Sequence, residues 1–416
     1  MINTRKCFTA VMVILFVAFL TLLLFPPASG LFATQKTLFF LQGGDMFADF
    51  FNVMRYLSDD AGFYFSQINE LDGHGGFPFG WIFSYPYTLL VDYSNMSLAD
   101  CYVSKGAMFS CIMNMVFMIF FFWRSLSLVC RKYNVPDYIL IPLLLSSVFL
   151  FSVERGNFVF ISATCVNYYL AFYDAKDPFH KYFSLICICV AATLKGFPVL
   201  FGLLLLQDKR YKDIIFCVIF TLIIAFVPFF FLDGGFANLT KMMENVSLNN
   251  EAYLHNFDYM FGLHKLVFLG SIFAHLSESA TDNVVGVTRI VEAVMMLLSI
   301  ILALLDNKRW RQLILIACAV LLYPINSGFY CALFLFPVLI LFFQDRETGW
   351  LDYIIMLLFC AIMNPLQINY TNASTWVLTP LLSNMSVIVL WAVVAVWSVC
   401  DFVKRTKKGG LSVVKK

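Results

Sequence analysis

The sequence is poor in charged residues: Asp, Glu, Lys and Arg make up 13% of its 416 residues, whereas 61% are hydrophobic. A soluble domain of this length normally carries about a quarter charged residues, so the composition argues against a soluble protein. Apolar runs recur from one end of the chain to the other. This pattern predicts an all-α, polytopic membrane protein.

Several chemical motifs are also missing. The chain has no P-loop, no Rossmann fingerprint, no CxxC pair, no DxD and no basic cluster interleaved with aromatic residues, so we expect no nucleic acid partner. The twelve cysteines are scattered, and we interpret them as small hydrophobic residues rather than zinc ligands or disulfides. The histidines are not spaced as metal ligands. We therefore expect neither a bound metal nor a cofactor.

The N-terminal segment has a basic start, an apolar stretch and small residues after it, as a secretory signal does. The apolar run from about Phe8 to Phe25 is long for a signal peptide, and we interpret it as an uncleaved first span. We predict about eleven or twelve transmembrane helices in one domain over residues 1–403, followed by a basic cytoplasmic tail, 404–416. The candidate spans lie near 8–27, 106–123, 137–152, 157–173, 182–207, 212–232, 287–305, 310–323, 328–343, 351–364 and 378–402.

Positive charge predicts the orientation, because basic residues collect on the cytoplasmic side. Arg5 and Lys6 place the N-terminus in the cytoplasm, which makes 28–105 an extracytoplasmic segment, and with the turn described next 233–286 is extracytoplasmic as well. The later basic loops face inward only if the run 182–207 turns back in its middle. Lys195, Gly196 and Pro198 interrupt that run, and Gly and Pro break helices. We therefore expect two short helices, 182–194 and 197–207, that meet on the outer side.

One outer stretch, "GGDMFADFFNVMRY" (43–56), places four polar residues on one face of a helix. Two readings stay open for this face. It is either the solvated side of an interfacial helix or a carboxylate pair that performs acid–base chemistry. The four residues are Asp45, Asp49, Asn52 and Tyr56.

Three further stretches lie on the same predicted face. Tyr85, in "YPY", belongs either to a membrane-interface belt or to a wall for a sugar or lipid. Two readings are open for "ERGN". Glu154 and Arg155 either form a buried pair that tightens a helical turn, or Arg155 contacts an anionic headgroup. In the second reading Asn157 caps the next helix and also reaches a ligand. Lys195, at the helix break, suits a phosphate better than packing.

Four segments in this order resemble the multispanning glycosyltransferases of the GT-C superfamily. The resemblance is strongest to family 87, which contains polyprenyl-phosphate-mannose-dependent α-mannosyltransferases, and it covers about residues 40–330. One position departs from the family pattern, because Tyr87 replaces the second Pro of a "YPP"-like segment. The segments are "ADFFNVMRY" (48–56), "SYPYTLL" (84–90), "ERGNFVF" (154–160) and "LKGFPVLFGLLLLQDKR" (194–210).

The resemblance implies transfer of a mannose-like hexose, with inversion, from a polyprenyl-phosphate donor to a lipid or glycan acceptor at the extracytoplasmic face of the cell membrane. Asp49 matches the family Asp and would be the general base. Asp45, one turn earlier, would repel the ionised Asp49 and make it a stronger base. Lys195 and Arg155 would hold the phosphate. The other expected substrate-binding residues are Glu154, Asn157, Asn52, Tyr56 and Tyr85.

Two other functions remain open at this point. A lipid or solute transporter would place ionisable residues near mid-bilayer and carry internal repeats, and no clear repeat is present. A polysaccharide polymerase or ligase would use a pyrophosphate-linked oligosaccharide. Such an enzyme would carry an outer loop rich in Arg and His. The segment 233–286 contains no Arg, and its Lys residues are Lys241 and Lys265.

Overall fold

The structure, a computed structural model, is built from helices. Within the ranges that it describes the backbone forms no sheet, and one isolated antiparallel bridge joins Met260 to Gly328. The all-α prediction is therefore confirmed. The described residues are 4–25, 27, 30, 32, 46–59, 62–66, 75–257, 259–344, 349–368 and 378–413.

Eighteen α-helices follow one another along these ranges. The first nine are α1 (Thr4–Leu24), α2 (Ala48–Ser58), α3 (Tyr85–Thr88), α4 (Leu98–Val103), α5 (Lys105–Lys132), α6 (Leu140–Leu144), α7 (Ser147–Arg155), α8 (Val159–Phe172) and α9 (Pro178–Lys195). The remaining nine are α10 (Leu203–Gln207), α11 (Tyr211–Phe226), α12 (Ala237–Leu254), α13 (Leu263–Phe273), α14 (Glu278–Leu305), α15 (Arg309–Leu322), α16 (Leu335–Phe342), α17 (Trp350–Met363) and α18 (Leu378–Val413). Short 3-10 turns precede several of them, at Pro78–Phe83, Asp137–Ile139, Phe197–Gly202, Val227–Phe231 and Phe329–Phe334.

Five of the described helices are long and apolar enough to cross a membrane: α1, α5, α11 with the 3-10 turn after it, α14 and α18. The pair α6 and α7, bent by 62° at its break, adds a sixth candidate. The chain is thus a multi-pass membrane protein by helix length and composition. The other predicted spans coincide with shorter helices, so the count of eleven or twelve stays a prediction.

Two of the shorter helices lie inside the protein. Every residue of α16 is buried, as is every residue of α15 after Arg309. By contrast, most of the residues along α1 and α11 are at least partly exposed, with 17% of each apolar window buried. Short apolar helices surrounded by other helices keep their backbone groups paired and away from lipid, which makes their length tolerable.

The predicted helix break at residues 194–198 is present. α9 ends at Lys195, and Gly196 adopts φ +65°, a conformation that other residues rarely take. The chain then reverses, as shown by Asp213 in the first turn of α11, which contacts Lys181 near the start of α9 with a Lys181 Nζ–Asp213 Oδ1 distance of 2.8 Å. Two short antiparallel helices therefore replace one long span, as the sequence predicts.

The reversal brings the basic loops together at one end of the bundle. Lys132 at the end of α5 donates to Asp174 beyond α8 at 2.6 Å, and Arg309 at the start of α15 donates to Asp208 after α10 at 3.0 Å. We call this the ion-pair end. The other end, which we call the site end, carries the start of α2, the α7–α8 junction, the α9 break and Tyr330.

Candidate active site

The start of α2 is fixed against the end of α7. The Phe47 N–H donates to the Glu154 carbonyl at 2.6 Å, directly before Asp49 in the first turn of α2. Gly156 ends α7 at φ +63°, and a Cβ there would lie 3.1 Å from the Phe50 Cβ. A residue with a side chain would be strained at this φ and crowded by α2, so the close approach depends on the glycine.

This approach places Asp49 against two donors. Arg155 Nη2 lies 2.5 Å from Asp49 Oδ1, and Asn157 Nδ2 lies 2.7 Å from Oδ2. The Asp49 side chain is 20% exposed. An ionised carboxylate has about four lone-pair positions, so two hydrogen bonds fix its orientation and leave acceptor capacity for a third partner.

Asn157 joins Asp49 to the next helix, α8. Its Oδ1 accepts the N–H of Val159, the first residue of α8, at 2.8 Å, while its Nδ2 donates to Asp49. The side chain is buried. The predicted capping role is therefore present, and the second contact of Asn157 is to Asp49.

Lys195 also lies at the site end, where it contacts Tyr330. The sequence analysis did not identify Tyr330 as a candidate. The Lys195 ammonium lies 5.2 Å from the centre of the Tyr330 ring, and the charges of Asp49 and Arg155 both act on the Tyr330 phenol. In the described part of the chain, Lys195 has no hydrogen-bond or ion-pair partner. Tyr330 follows "YPINSG" (323–328), and the available signal was that this stretch separates the predicted spans 310–323 and 328–343.

The remaining candidates occupy different surroundings. Glu154 is buried and anchors α2 through its main-chain carbonyl, whereas Asn52 accepts from Arg55 at 3.2 Å. Tyr56 is buried against Phe63, 6.0 Å between ring centres. Asp45 lies outside the described residues. Their contacts with a substrate stay predictions.

The aromatic segment after the 3-10 turn at Pro78–Phe83 packs on α2 through Tyr87, whose ring centre lies 5.7 Å from that of Phe50. The Tyr85 side chain faces away and is 56% exposed. An exposed tyrosine here fits the membrane-interface reading as well as the wall for a sugar or lipid.

A second polar network lies nearby, between α13, α14 and the end of α15. Glu292 is fully buried and accepts from His264 and Arg289, and Arg289 Nη1 also donates to the Tyr323 carbonyl at 2.7 Å. Lys265, also buried, donates to the Tyr253 carbonyl. The sequence reasoning missed this network, although Arg289 and Glu292 stand out as two charges inside the predicted span 287–305.

Among the described residues no group of three or more His, Cys, Asp or Glu side chains could hold a metal ion. The described side chains at the site end provide the Asp49 carboxylate, which has spare acceptor capacity, and the neighbouring cations Arg155 and Lys195. That combination suits proton removal from a hydroxyl and stabilisation of a departing anion.

The sequence model of glycosyltransferase family 87 matches residues 78–327, more than half of the chain. This family comprises polytopic mannosyltransferases of the GT-C type. The match includes Arg155, Asn157 and Lys195, whereas Asp49 precedes it. No curated protein matches the chain. The α7–α8 junction and the α9 break, on which the site is built, thus lie within the matched range, and the chain belongs to glycosyltransferase family 87.

Proposed function

We propose that this glycosyltransferase moves a mannose-like hexose from a polyprenyl monophosphate to a hydroxyl of a lipid or glycan acceptor, with inversion at the anomeric carbon. The observation that carries the proposal is the Asp49 carboxylate, fixed by Arg155 and Asn157 beside Lys195 and Tyr330. Such a site needs neither a nucleotide-binding domain nor a metal to complete the transfer.

Asp49 acts as the general base. Its carboxylate accepts the proton of the acceptor hydroxyl as the oxygen attacks the anomeric carbon from the face opposite the phosphate. Arg155 and Asn157 each hold one carboxylate oxygen, so the remaining lone pairs keep a fixed direction. A base held in this way needs little reorganisation at the moment of proton transfer. Arg155, predicted as a phosphate ligand, here orients the base.

Lys195 stabilises the leaving group. As the new glycosidic bond forms, the bond between the anomeric carbon and the phosphate oxygen breaks, and the polyprenyl phosphate leaves with the electron pair. Charge develops on the phosphate, and the Lys195 ammonium, which has no hydrogen-bond or ion-pair partner among the described residues, is placed to neutralise it. The acceptor proton ends on Asp49, so charge and atoms balance.

We place the reaction at the extracytoplasmic face. The ion-pair end collects Lys132, Arg210, Arg309 and Arg311, as cytoplasmic loops do. The site end is then outside. Cysteine introduced at the exposed Lys212 tests this orientation in sealed cells: labelling by a membrane-impermeant maleimide from the outside, above the unmodified parent, would invert it.

Turnover by the full chain in nanodiscs tests the reaction. We expect product from an undecaprenyl-monophosphate mannose and a product anomer opposite to that of the donor. A pyrophosphate-linked oligosaccharide and a nucleotide sugar serve as alternative donors. Transfer from the pyrophosphate donor alone would favour the polymerase or ligase function, and a retained anomeric configuration would contradict a single displacement with Asp49 as base.

A further inference from the structure

Arg289 on α14 uses only part of its guanidinium. Nη1 donates to Glu292 Oε2 and to the Tyr323 carbonyl, and the group lies over the Tyr323 ring with its central carbon 5.2 Å from the ring centre. Its Nε and Nη2 atoms have no hydrogen-bond partner in the described ranges. The side chain is 20% exposed, so these donors sit at the edge of the protein interior.

The residues behind Arg289 hold it rigidly. The His264 main-chain N–H and ring Nδ1 donate to Glu292 Oε1 at 2.9 and 2.8 Å. Gly262 makes this contact possible, because a Cβ there would lie 2.6 Å from the His264 ring. Asn384 in turn holds Gly262 by two hydrogen bonds of 3.1 and 2.9 Å. A guanidinium that is preorganised in this way loses little freedom when it binds.

Arg289 belongs to the neighbourhood of the α9 break. The Tyr323 ring that it covers lies 5.7 Å from the ring of Phe197, two residues after Lys195. Seven residues beyond Tyr323, the chain supplies Tyr330, which lies against Lys195. Arg289 and Lys195 therefore border the same turn of the site end from two sides.

The network around Arg289 places three basic side chains around one carboxylate. Glu292 is that carboxylate, and Arg289, His264 and the buried Lys265 interact with it. Burial lowers the pKa of Lys265 to about 7, against the attraction of Glu292. The pKa of His264 is also lowered by burial. An anion on the outer side of Arg289 would meet the guanidinium and would favour the charged form of Lys265.

We propose that Arg289 is an anion-binding residue of the reaction centre, whose Nε and Nη2 donate to phosphate or carboxylate oxygens of a lipid-linked substrate. The proposal rests on the transferase function proposed above and adds a second anion contact, distinct from Lys195. Two sources carry this chemistry: the phosphate of the donor, and an anionic group on the acceptor lipid. A planar guanidinium with two parallel donors fits either one.

Arg289→Lys tests the proposal in the full chain in phosphatidylcholine nanodiscs. Lysine keeps a cation for Glu292 and so preserves the fold, but it removes the paired donors. Arg289→Gln removes the charge as well, and Arg131→Gln, at an exposed position in the last turn of α5, is the charge-matched control. Thermal unfolding and size exclusion identify variants that fold.

The binding of undecaprenyl monophosphate, with undecaprenol as the uncharged reference, is the donor arm. The binding of phosphatidylglycerol against phosphatidylcholine, by native mass spectrometry, is the acceptor arm. We expect roughly 10-fold to 100-fold weaker binding by both Arg289 variants in one arm, and that arm identifies the source. Wild-type-like binding by folded Arg289→Lys in both arms, within about twofold, would overturn the inference.

The result separates this inference from the proposed function. If the wild-type protein binds undecaprenyl monophosphate no better than undecaprenol, the donor assignment itself fails. If the wild type prefers the phosphate and only Lys195→Ala loses that preference, Lys195 keeps its role and Arg289 has none in donor binding. The acceptor arm then decides whether Arg289 binds an anion at all.

Discussion

The two ends of the bundle use their cations differently. At the ion-pair end, the buried Arg311 donates from Nη1 to Asp401 at 2.6 Å and from Nη2 to Asp306 at 3.0 Å. At the site end, Lys195 lies against an aromatic ring without an anionic partner in the described part of the chain, and Arg289 keeps two nitrogens without one.

This difference distinguishes cations that stabilise the fold from cations that we propose bind a substrate. A cation that is paired with two carboxylates, as Arg311 is, holds helices together, and its removal leaves buried anions unpaired. Lys195, which pairs with no carboxylate in the described part of the chain, should contribute little to the fold. In the proposed function it binds an anion that arrives with a substrate. The contrast predicts that substitutions at the two ends affect different measurements.

Arg311→Met should produce the largest effect, a loss of folded protein. It leaves Asp306 and Asp401 without their guanidinium, and Asp306 is buried. Breaking a buried pair in this way costs about 3–5 kcal/mol of stability. The measurement is the unfolding temperature in detergent. Arg309→Met, whose pair with Asp208 is partly exposed, is the control and should cost no more than about 1 kcal/mol. Equal losses would remove the distinction between buried and exposed pairs.

Lys265→Met should stabilise the protein, and the gain should depend on pH. Burial lowers the pKa of Lys265 from 10.5 to about 7, so the folded state gives up a proton that the unfolded chain keeps up to about pH 10.5. The penalty for Lys265 is therefore complete below pH 7 and fades as the pH rises toward 10.5. We expect a gain on the order of a few kcal/mol near pH 6 that shrinks by about pH 10.

Unfolding temperatures at both pH values measure this change. Lys241→Met, which removes a cation paired with the exposed Glu244 from the same predicted outer segment, should change stability little at either pH. A gain from Lys265→Met of the same size at both pH values would show that lost packing strain, rather than charge burial, explains it.

Lys195→Ala should weaken donor use without lowering stability. We expect roughly 10-fold to 100-fold weaker binding of undecaprenyl monophosphate and a slower turnover, because the departing phosphate loses its ammonium. The unfolding temperature should stay within the range of the parent, since Lys195 forms no ion pair with any residue that the structure describes. A large stability loss with intact donor binding would place Lys195 with the structural cations.

Asn157→Asp should give the smallest effect, a rate loss of about tenfold. The new carboxylate still accepts the Val159 N–H and so keeps the start of α8, but its second oxygen faces Asp49 instead of donating to it. The rate should fall, and the unfolding temperature should fall as well, because two carboxylates this close repel unless one of them takes up a proton. Asn157→Ala is the comparison, since it removes both contacts and should lower stability by about 1 kcal/mol as well.

Part of this arrangement could be predicted from the sequence, because its signals are local. The break after Lys195 is readable from Gly196 and Pro198, and the loop charges predict the reversal that the Lys181–Asp213 contact bears out. Asn157 as a helix cap is likewise a local pattern. Family membership follows from segments that keep their order along the chain.

The partners across the chain could not be predicted. Asp49 and Arg155 are 106 residues apart, and the local sequence around each residue does not indicate that their side chains form a contact. Tyr330 sits in an apolar run that looks like core, and it meets Lys195 only because α9 turns back there. The network of His264 and Glu292 depends on the packing of α13 against α14, which periodicity alone does not specify.

Turnover of Asp49→Asn, with donor binding measured separately, tests the central claim most directly. The substitution keeps the shape and removes the basicity of the carboxylate, so we predict a rate loss of about 10²–10⁴-fold with undecaprenyl monophosphate still bound. Asp45→Asn is the matched comparison and should act less strongly, by lowering the pH of optimal activity. Near-normal turnover by Asp49→Asn would contradict the account, and an inactive Asp45→Asn beside it would exchange the roles of the two carboxylates.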